Sequence, residues 1–164
     1  MARWFLGASG GEGGGPFNDD TATPSAGLLD KSRVASVRIR SGDLIDAIQV
    51  TIQLKDTGQI IELPRNGGGG GGEHRIDLTP NQFISQIRGN HGKFVDSMTI
   101  TVRDDQGNAQ EHGPFGGSGG SRSYVYSAPF RQASGSPADN CILGFWGHNG
   151  IFVDELGVIL LRPR

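Results

Sequence analysis

The chain has 164 residues, 28 of them glycine and 8 proline, with 20% charged residues and a formal net charge of −2. That length fits one domain with a sizeable core, and the near-neutral charge argues against a non-specific nucleic-acid surface, which needs a basic face. No apolar run approaches the ~20 residues of a membrane span, and the single cysteine, Cys141, excludes an internal disulfide framework.

From the N-terminus, residues 1–9 read as a short extension of a single domain spanning 1–164, with an apolar stretch too short for a signal peptide. The compartment is otherwise unspecified: the chain reads as cytoplasmic or released without a signal peptide, and the lone thiol fits a reducing environment. A first glycine cluster, Gly10 to Gly15 interrupted only by Glu12, leads into Pro16-Phe17-Asn18-Asp19. Residues 32–40 place Val34, Val37 and Ile39 among polar neighbours. Residues 45–54 carry apolar side chains at 48, 50, 52 and 54, a period of two that puts them on one face of a sheet. Six consecutive glycines follow at 67–72. Residues 79–89 hold Phe83, Ile84 and Ile87 after a Thr-Pro start; a helix and a strand both fit, and the β-rich neighbours favour the strand. Met98, Ile100 and Val102 alternate again, a third glycine cluster occupies 116–120, and residues 124–127, 141–146 and 157–161 are further β-rich runs. Short strands separated by Gly, Asn, Asp and Pro turns predict an all-β fold, a sandwich, barrel or prism.

Two features recur together. The glycine clusters begin at 10, 67 and 116, and between them stands a second repeat. Gly42-Asp43-Leu44-Ile45-Asp46, Gly92-Lys93-Phe94-Val95-Asp96 and Gly150-Ile151-Phe152-Val153-Asp154 share glycine, any residue, large apolar, β-branched, aspartate, and each runs on into an apolar strand. A period of 50 to 58 residues signals internal threefold symmetry or a stacked array. A lone glycine run reads as a linker, and a lone aspartate reads as a turn cap. Three phased copies, each keeping Asp where a cap accepts Asn, Ser or Thr equally well, point instead to an acidic site at a sheet rim.

These motifs, with Arg40-Ser41-Gly42-Asp43, Val95-Asp96-Ser97-Met98-Thr99-Ile100, Gly113-Pro114-Phe115-Gly116-Gly117 and Gly144-Phe145-Trp146-Gly147, resemble the jacalin-related lectins over nearly the whole chain, especially their mannose-binding, internally symmetric members. The resemblance implies the β-prism I fold: three four-stranded Greek-key sheets around a pseudo-threefold axis. It further implies up to three sugar sites at one end of the prism, each joining a Gly-x-x-x-Asp loop to a glycine loop. The first glycine cluster then pairs with the last aspartate, giving Gly13, Gly14, Gly15, Gly150, Ile151, Phe152 and Asp154. The second site comprises Gly42, Leu44, Ile45, Asp46, Gly71 and Gly72. The third comprises Gly92, Lys93, Phe94, Val95, Asp96, Gly119 and Gly120. The implied partners are mannose- or glucose-containing glycans, with no cofactor, no metal and no catalysis.

Residue chemistry agrees with that assignment. An ionised carboxylate accepts hydrogen bonds from two neighbouring hydroxyls, and bare glycine backbone lets N–H groups approach a ligand closely. Two departures from the family pattern stand out. Leu44, Phe94 and Phe152 occupy the position where symmetric members often carry tyrosine, and the 67–72 run has no serine like Ser118 to stiffen it. An enzyme is the first rival reading; His91 and His148 lie near the repeated aspartates, but no Gly-x-Ser-x-Gly, His-Glu-x-x-His or Cys-x-x-Cys is present. The second rival is a β-prism serving protein interaction or structure without sugar binding. Trp4, Phe5, Phe145 and Trp146 read as core or terminal-strand packing, with a homodimer contact as the alternative.

Overall fold

A computed structural model describes residues 3–128 and 141–161. In chain order the strands are β1 (Arg3–Gly10), β2 (Gly15–Asn18), β3 (Ser32–Ser41), β4 (Ile45–Leu54), β5 (Ile60–Glu62), β6 (Asn66–Gly67) and β7 (Gly72–Asp77). They continue with β8 (Gln82–His91), β9 (Ser97–Asp104), β10 (Ala109–Gly116), β11 (Arg122–Ser127), β12 (Ile142–Asn149) and β13 (Val153–Leu161). The helical content of the described residues is one short 3-10 turn, Leu28–Lys31.

The strands form three antiparallel groups of the same design. β3 and β4 make a long central hairpin; β5 and β6 flank β4, and β7 crosses back to flank β3. β8 and β9 make the second hairpin, flanked by β10 and β11. β12 and β13 make the third, flanked by β1 on β13 and β2 on β12. The third sheet is thus the same Greek key entered at a different point of the chain, and it closes the molecule by joining its two ends. A single register pair, Ile84 with Ile142, ties the second hairpin to the third. The three sheets enclose one core, and the architecture is the β-prism.

Alternation builds that core. Val37, Ile39, Ile48, Val50, Ile52, Ile87, Met98, Ile100, Ile142, Phe145, Leu156 and Val158 are wholly buried. Burial of each large apolar side chain is worth about 1.5–3 kcal/mol. All three hairpins slip register at the same place, between Val34 and Ser36, Ile84 and Gln86, and Ile142 and Gly144. A bulge there adds twist and bends each sheet around the shared core.

Residues 3–10 are not an extension. They are an edge strand of the third sheet, paired with β13 from Arg3 opposite Leu161 to Gly10 opposite Glu155. Its sequence hides this, because Gly7, Ala8, Ser9 and Gly10 carry no strand signal. The strand is instead held from outside its own pattern. Arg3 Nε lies 2.8 Å from Asp20 and 3.1 Å from Asp30, and Trp146 Nε1 donates to the Leu6 carbonyl at 3.2 Å. Phe145 is wholly buried, and Phe5 sits edge-on to Trp146 at 6.0 Å.

Candidate functional site

β3, β8 and β12 all run toward one end of the prism and stop at Ser41, His91 and Asn149. Each is followed by the glycine of a Gly-x-x-x-Asp segment. The N–H of Gly42 donates to the Leu44 carbonyl at 3.1 Å, that of Gly92 to Phe94 at 3.0 Å and that of Gly150 to Phe152 at 2.9 Å. One short turn conformation therefore occurs three times, and it delivers Asp46, Asp96 and Asp154 to equivalent places at the root of the returning strand. Asp46 and Asp154 are 6% and 7% exposed, and Asp96 is half-buried.

The glycine loops meet these aspartates in the same phase. Gly68, Gly117 and Gly11 donate their N–H to the main-chain carbonyls of Asp46, Asp96 and Asp154 at 2.9, 3.0 and 2.9 Å. Two residues further on, the loop backbone crosses the carboxylate. A Cβ on Gly70, Gly119 or Gly13 would stand 2.7, 2.8 or 2.7 Å from a carboxylate oxygen, and one on Gly71, Gly120 or Gly14 would stand 2.8 Å away in every case. Gly71, Gly120 and Gly14 also adopt φ of +68°, +87° and +78°, the left-handed region that costs other residues about 1–2 kcal/mol. Glycine is required here on both counts. The result is a carboxylate lying against main chain that no side chain covers, built three times.

The three constructions interlock. Gly11 lies on the backbone of Lys93, Gly68 on that of Ile151 and Gly117 on that of Asp43, so closely that a Cβ would come within 2.2 to 2.4 Å of the underlying carbonyl. Ile45 N–H donates to the Val95 carbonyl at 2.9 Å, and Val95 N–H to the Val153 carbonyl at 3.0 Å. Each glycine loop thus rests on the neighbouring site's turn, and the end of the prism is one assembly.

The structure brings the first glycine cluster to Asp154, the second to Asp46 and the third to Asp96, and four details depart from the residues expected there. Gly15 and Gly72 open β2 and β7 and lie clear of the carboxylates, while Gly13 with Gly14 abuts Asp154 and Gly70, which was not among the expected residues, joins Gly71 against Asp46. Ile45 and Val95 are wholly buried with their N–H groups engaged in the protein, so neither presents a group to a ligand. Phe94 and Phe152 pack against each other, edge to face at 5.2 Å, and this aromatic pair bridges the Asp96 and Asp154 turns. Finally, the six-glycine run is held by an external clamp: Arg40 Nε and Nη2 donate to the carbonyls of Gly70 and Gly71, both at 2.9 Å.

Among the other predicted residues, Gly42, Gly92 and Gly150 border their carboxylates at 3.9 to 4.0 Å from the Cβ position. Leu44 is half-buried, Lys93 is exposed and Ile151 is 75% exposed at the rim. Asp43 is exposed at the same rank of its turn as Lys93 and Ile151. Burial pushes the Asp154 carboxyl up from its ordinary value, with the charge of His148 acting the other way. His148 itself bonds Glu155 through Nδ1 at 2.9 Å, and His91 is buried with its ring 6.2 Å from that of Tyr124.

Comparison with known proteins fits the same frame. The family model described as "Jacalin-like lectin domain" matches residues 6–159. The chain belongs to the jacalin-like lectin domain family. This jacalin-like domain is 30% identical over 158 residues to Jacalin-related lectin 3 of Arabidopsis thaliana, a match covering 93% of this chain and 23% of that protein. The chain therefore spans less than a quarter of that relative's length. Its structure is similar to wild-type Malaysian banana lectin, with a TM-score of 0.72 and 27% identity over 99% of this chain and 100% of that one. It is also similar to a mannose binding jacalin related lectin from Ananas comosus, with a TM-score of 0.71 and 26% identity over 97% of each chain.

Proposed function

We propose that the jacalin-like domain binds mannose- or glucose-type glycans without catalysis, at up to three sites at one end of the prism. One observation carries this reading: three carboxylates stand in matching contact with uncovered glycine backbone, at Asp46 with Gly70 and Gly71, Asp96 with Gly119 and Gly120, and Asp154 with Gly13 and Gly14. A hexose is a ring of adjacent hydroxyls, each both donor and acceptor. One carboxylate takes two donated protons from neighbouring hydroxyls, and main-chain N–H groups of the glycine loop and of the residues after each turn glycine serve the sugar oxygens. No proton leaves the ligand and no bond is made, so neither a base nor a metal enters the chemistry. The mannose binding relative from Ananas comosus supports the choice of hexose.

Each neutral hydrogen bond contributes about 0.5–1.5 kcal/mol net, and an exposed sugar buries little apolar area. Single-site affinity is therefore in the millimolar range, about 4 kcal/mol. Three sites on one tip raise avidity about 100-fold for a branched glycan whose arms span them. Calorimetric titration with methyl α-D-mannoside tests this, followed by Asp46→Asn, Asp96→Asn and Asp154→Asn separately. Each substitution keeps the shape and removes the acceptor charge, and each should delete one equivalent. A domain that takes up no mannoside or glucoside at tens of millimolar is instead an interaction or structural prism.

A further inference from the structure

The three glycine loops share a frame but differ in what stiffens them. The loop beside Asp96 carries Ser118 and the loop beside Asp154 carries Glu12, whereas the loop beside Asp46 is glycine at every position from 67 to 72. Glycine loses more conformational freedom on ordering than any other residue, so this loop is the costliest of the three to hold ready. It is also the loop with a guanidinium on its carbonyls: Arg40 Nε bonds Gly70 and Nη2 bonds Gly71, each at 2.9 Å. The residues at the same rank in the other repeats, two before the turn glycine, are Asn90 and His148. The His148 ring turns to Glu155 instead, and neither side chain supplies a planar fork of donors like that of arginine.

We propose that Arg40 is a positioning residue of the Asp46 site, fixing the six-glycine loop so that its amides stand ready beside the carboxylate. The inference rests on the sugar-binding reading above. In a trans peptide the carbonyl of one residue and the N–H of the next point in opposite directions. Anchoring the Gly70 carbonyl on Arg40 therefore turns the N–H of Gly71, the residue that abuts Asp46, away from the guanidinium, and anchoring Gly71 fixes the next peptide plane into β7. The planar fork sets both peptide planes together, which an ammonium cannot do. The clamp offsets beforehand an ordering cost that would otherwise weaken ligand binding.

The experiment isolates one site. In an Asp96→Asn, Asp154→Asn background, which leaves Asp46 intact, Arg40→Gln should weaken methyl α-D-mannoside binding about five- to tenfold, and Arg40→Lys should recover less than half of that loss. Melting temperature should stay within about 2 °C, because Arg40 grips a surface loop. Without added sugar, 15N relaxation should show order parameters at Gly70 and Gly71 falling from the rigid range near ~0.85 toward ~0.6, with Gly119 and Gly120 unchanged. Adding Gly69→Ala to Arg40→Gln should restore part of the affinity by narrowing the loop's freedom; a Cβ there meets only the tip of Arg65, at 3.8 Å. Unchanged order parameters overturn the proposal, and so does loosened backbone with unaltered affinity. Wild-type protein that binds no mannoside refutes the underlying reading as well, which separates the two failures. Binding by wild type but not by the isolated Asp46 site removes that site and the role of Arg40 in it.

Discussion

Alanine at position 71 and alanine at position 69 should behave as opposites, although both replace a glycine in the same unbroken run of six. Gly71 has φ of +68°, and a Cβ there would lie 2.6 Å from the Ser41 carbonyl carbon, 2.7 Å from its oxygen and 2.8 Å from Asp46 Oδ1. Left-handed backbone costs alanine about 1–2 kcal/mol. Contacts this short against main chain and a buried carboxylate add the usual penalty of overpacking, about 1–3 kcal/mol. Gly71→Ala should therefore lose about 2–5 kcal/mol, lowering the melting temperature by roughly 5–15 °C for a domain of this size. It should also remove one sugar equivalent, since relief of the clash means moving the loop off Asp46. Gly69 meets nothing nearer than the Arg65 guanidinium at 3.8 Å and is not left-handed. Alanine there should be neutral or stabilising by up to about 1 kcal/mol through the unfolded chain. Urea unfolding gives both free energies, and calorimetry gives the stoichiometry. If the two variants agree within about 0.5 kcal/mol and bind alike, the run is a passive linker and the strain assigned to Gly71 does not exist.

Asp19 and Asp154 give two pH-dependent predictions. Asp19 is 1% exposed and accepts the Phe145 N–H at 2.9 Å and the Asn66 amide at 3.1 Å. Burial outweighs those bonds and pushes its carboxyl up to about 6. The folded state therefore holds this proton more tightly than the unfolded chain does. Wild-type stability relative to Asp19→Asn should then rise by up to about 3 kcal/mol as pH falls from 7 to 4, read as the difference between urea titrations at the two pH values; a constant difference contradicts the assignment. Asp154 must be ionised to accept two hydroxyl protons, and burial raises its carboxyl. The Asp154 site, isolated by Asp46→Asn and Asp96→Asn, should lose mannoside affinity on acidification at a higher pH than an ordinary aspartate implies; calorimetry across pH 3–7 reads the midpoint.

The central hairpins were legible because burial on one face imposes period two, as in Ile48, Val50 and Ile52, and in Met98, Ile100 and Val102. The outer strands were not. β7 reads Gly-Glu-His-Arg-Ile-Asp and β10 reads Ala-Gln-Glu-His-Gly-Pro-Phe-Gly, both largely exposed, so hydrogen bonding to a partner strand holds them and leaves little trace in hydropathy. β1 escaped for a related reason, since its anchors are Arg3 with Asp20 and Asp30, groups remote in sequence. At the site, repetition identified the aspartates and the loops that face them. It did not fix which glycine touches the carboxylate. That phase is set by the hydrogen bond from Gly68, Gly117 or Gly11 to the aspartate's own carbonyl, two residues before the crossing point. The Arg40 clamp was equally hidden, because nothing in a surface arginine declares that it will reach across to a neighbouring loop.

The third sheet takes strands from the first and last parts of the sequence, and this ties all three sites to one long-range closure. Asp46 meets Gly70, and Asp96 meets Gly119, across short spans, whereas Asp154 must find Gly13 and Gly14 across nearly the whole polypeptide. Ring closure over that distance carries the greatest entropic burden. The other two cradles depend on the same closure, because the six-glycine loop rests on Ile151 and Val95 donates to Val153. A chain cleaved ahead of the Gly150 turn and β13 would lose the ledge beneath Gly68, the acceptor for Val95 and the core side chains Leu156, Val158 and Ile159 together with Asp154, so the tip forms whole or not at all.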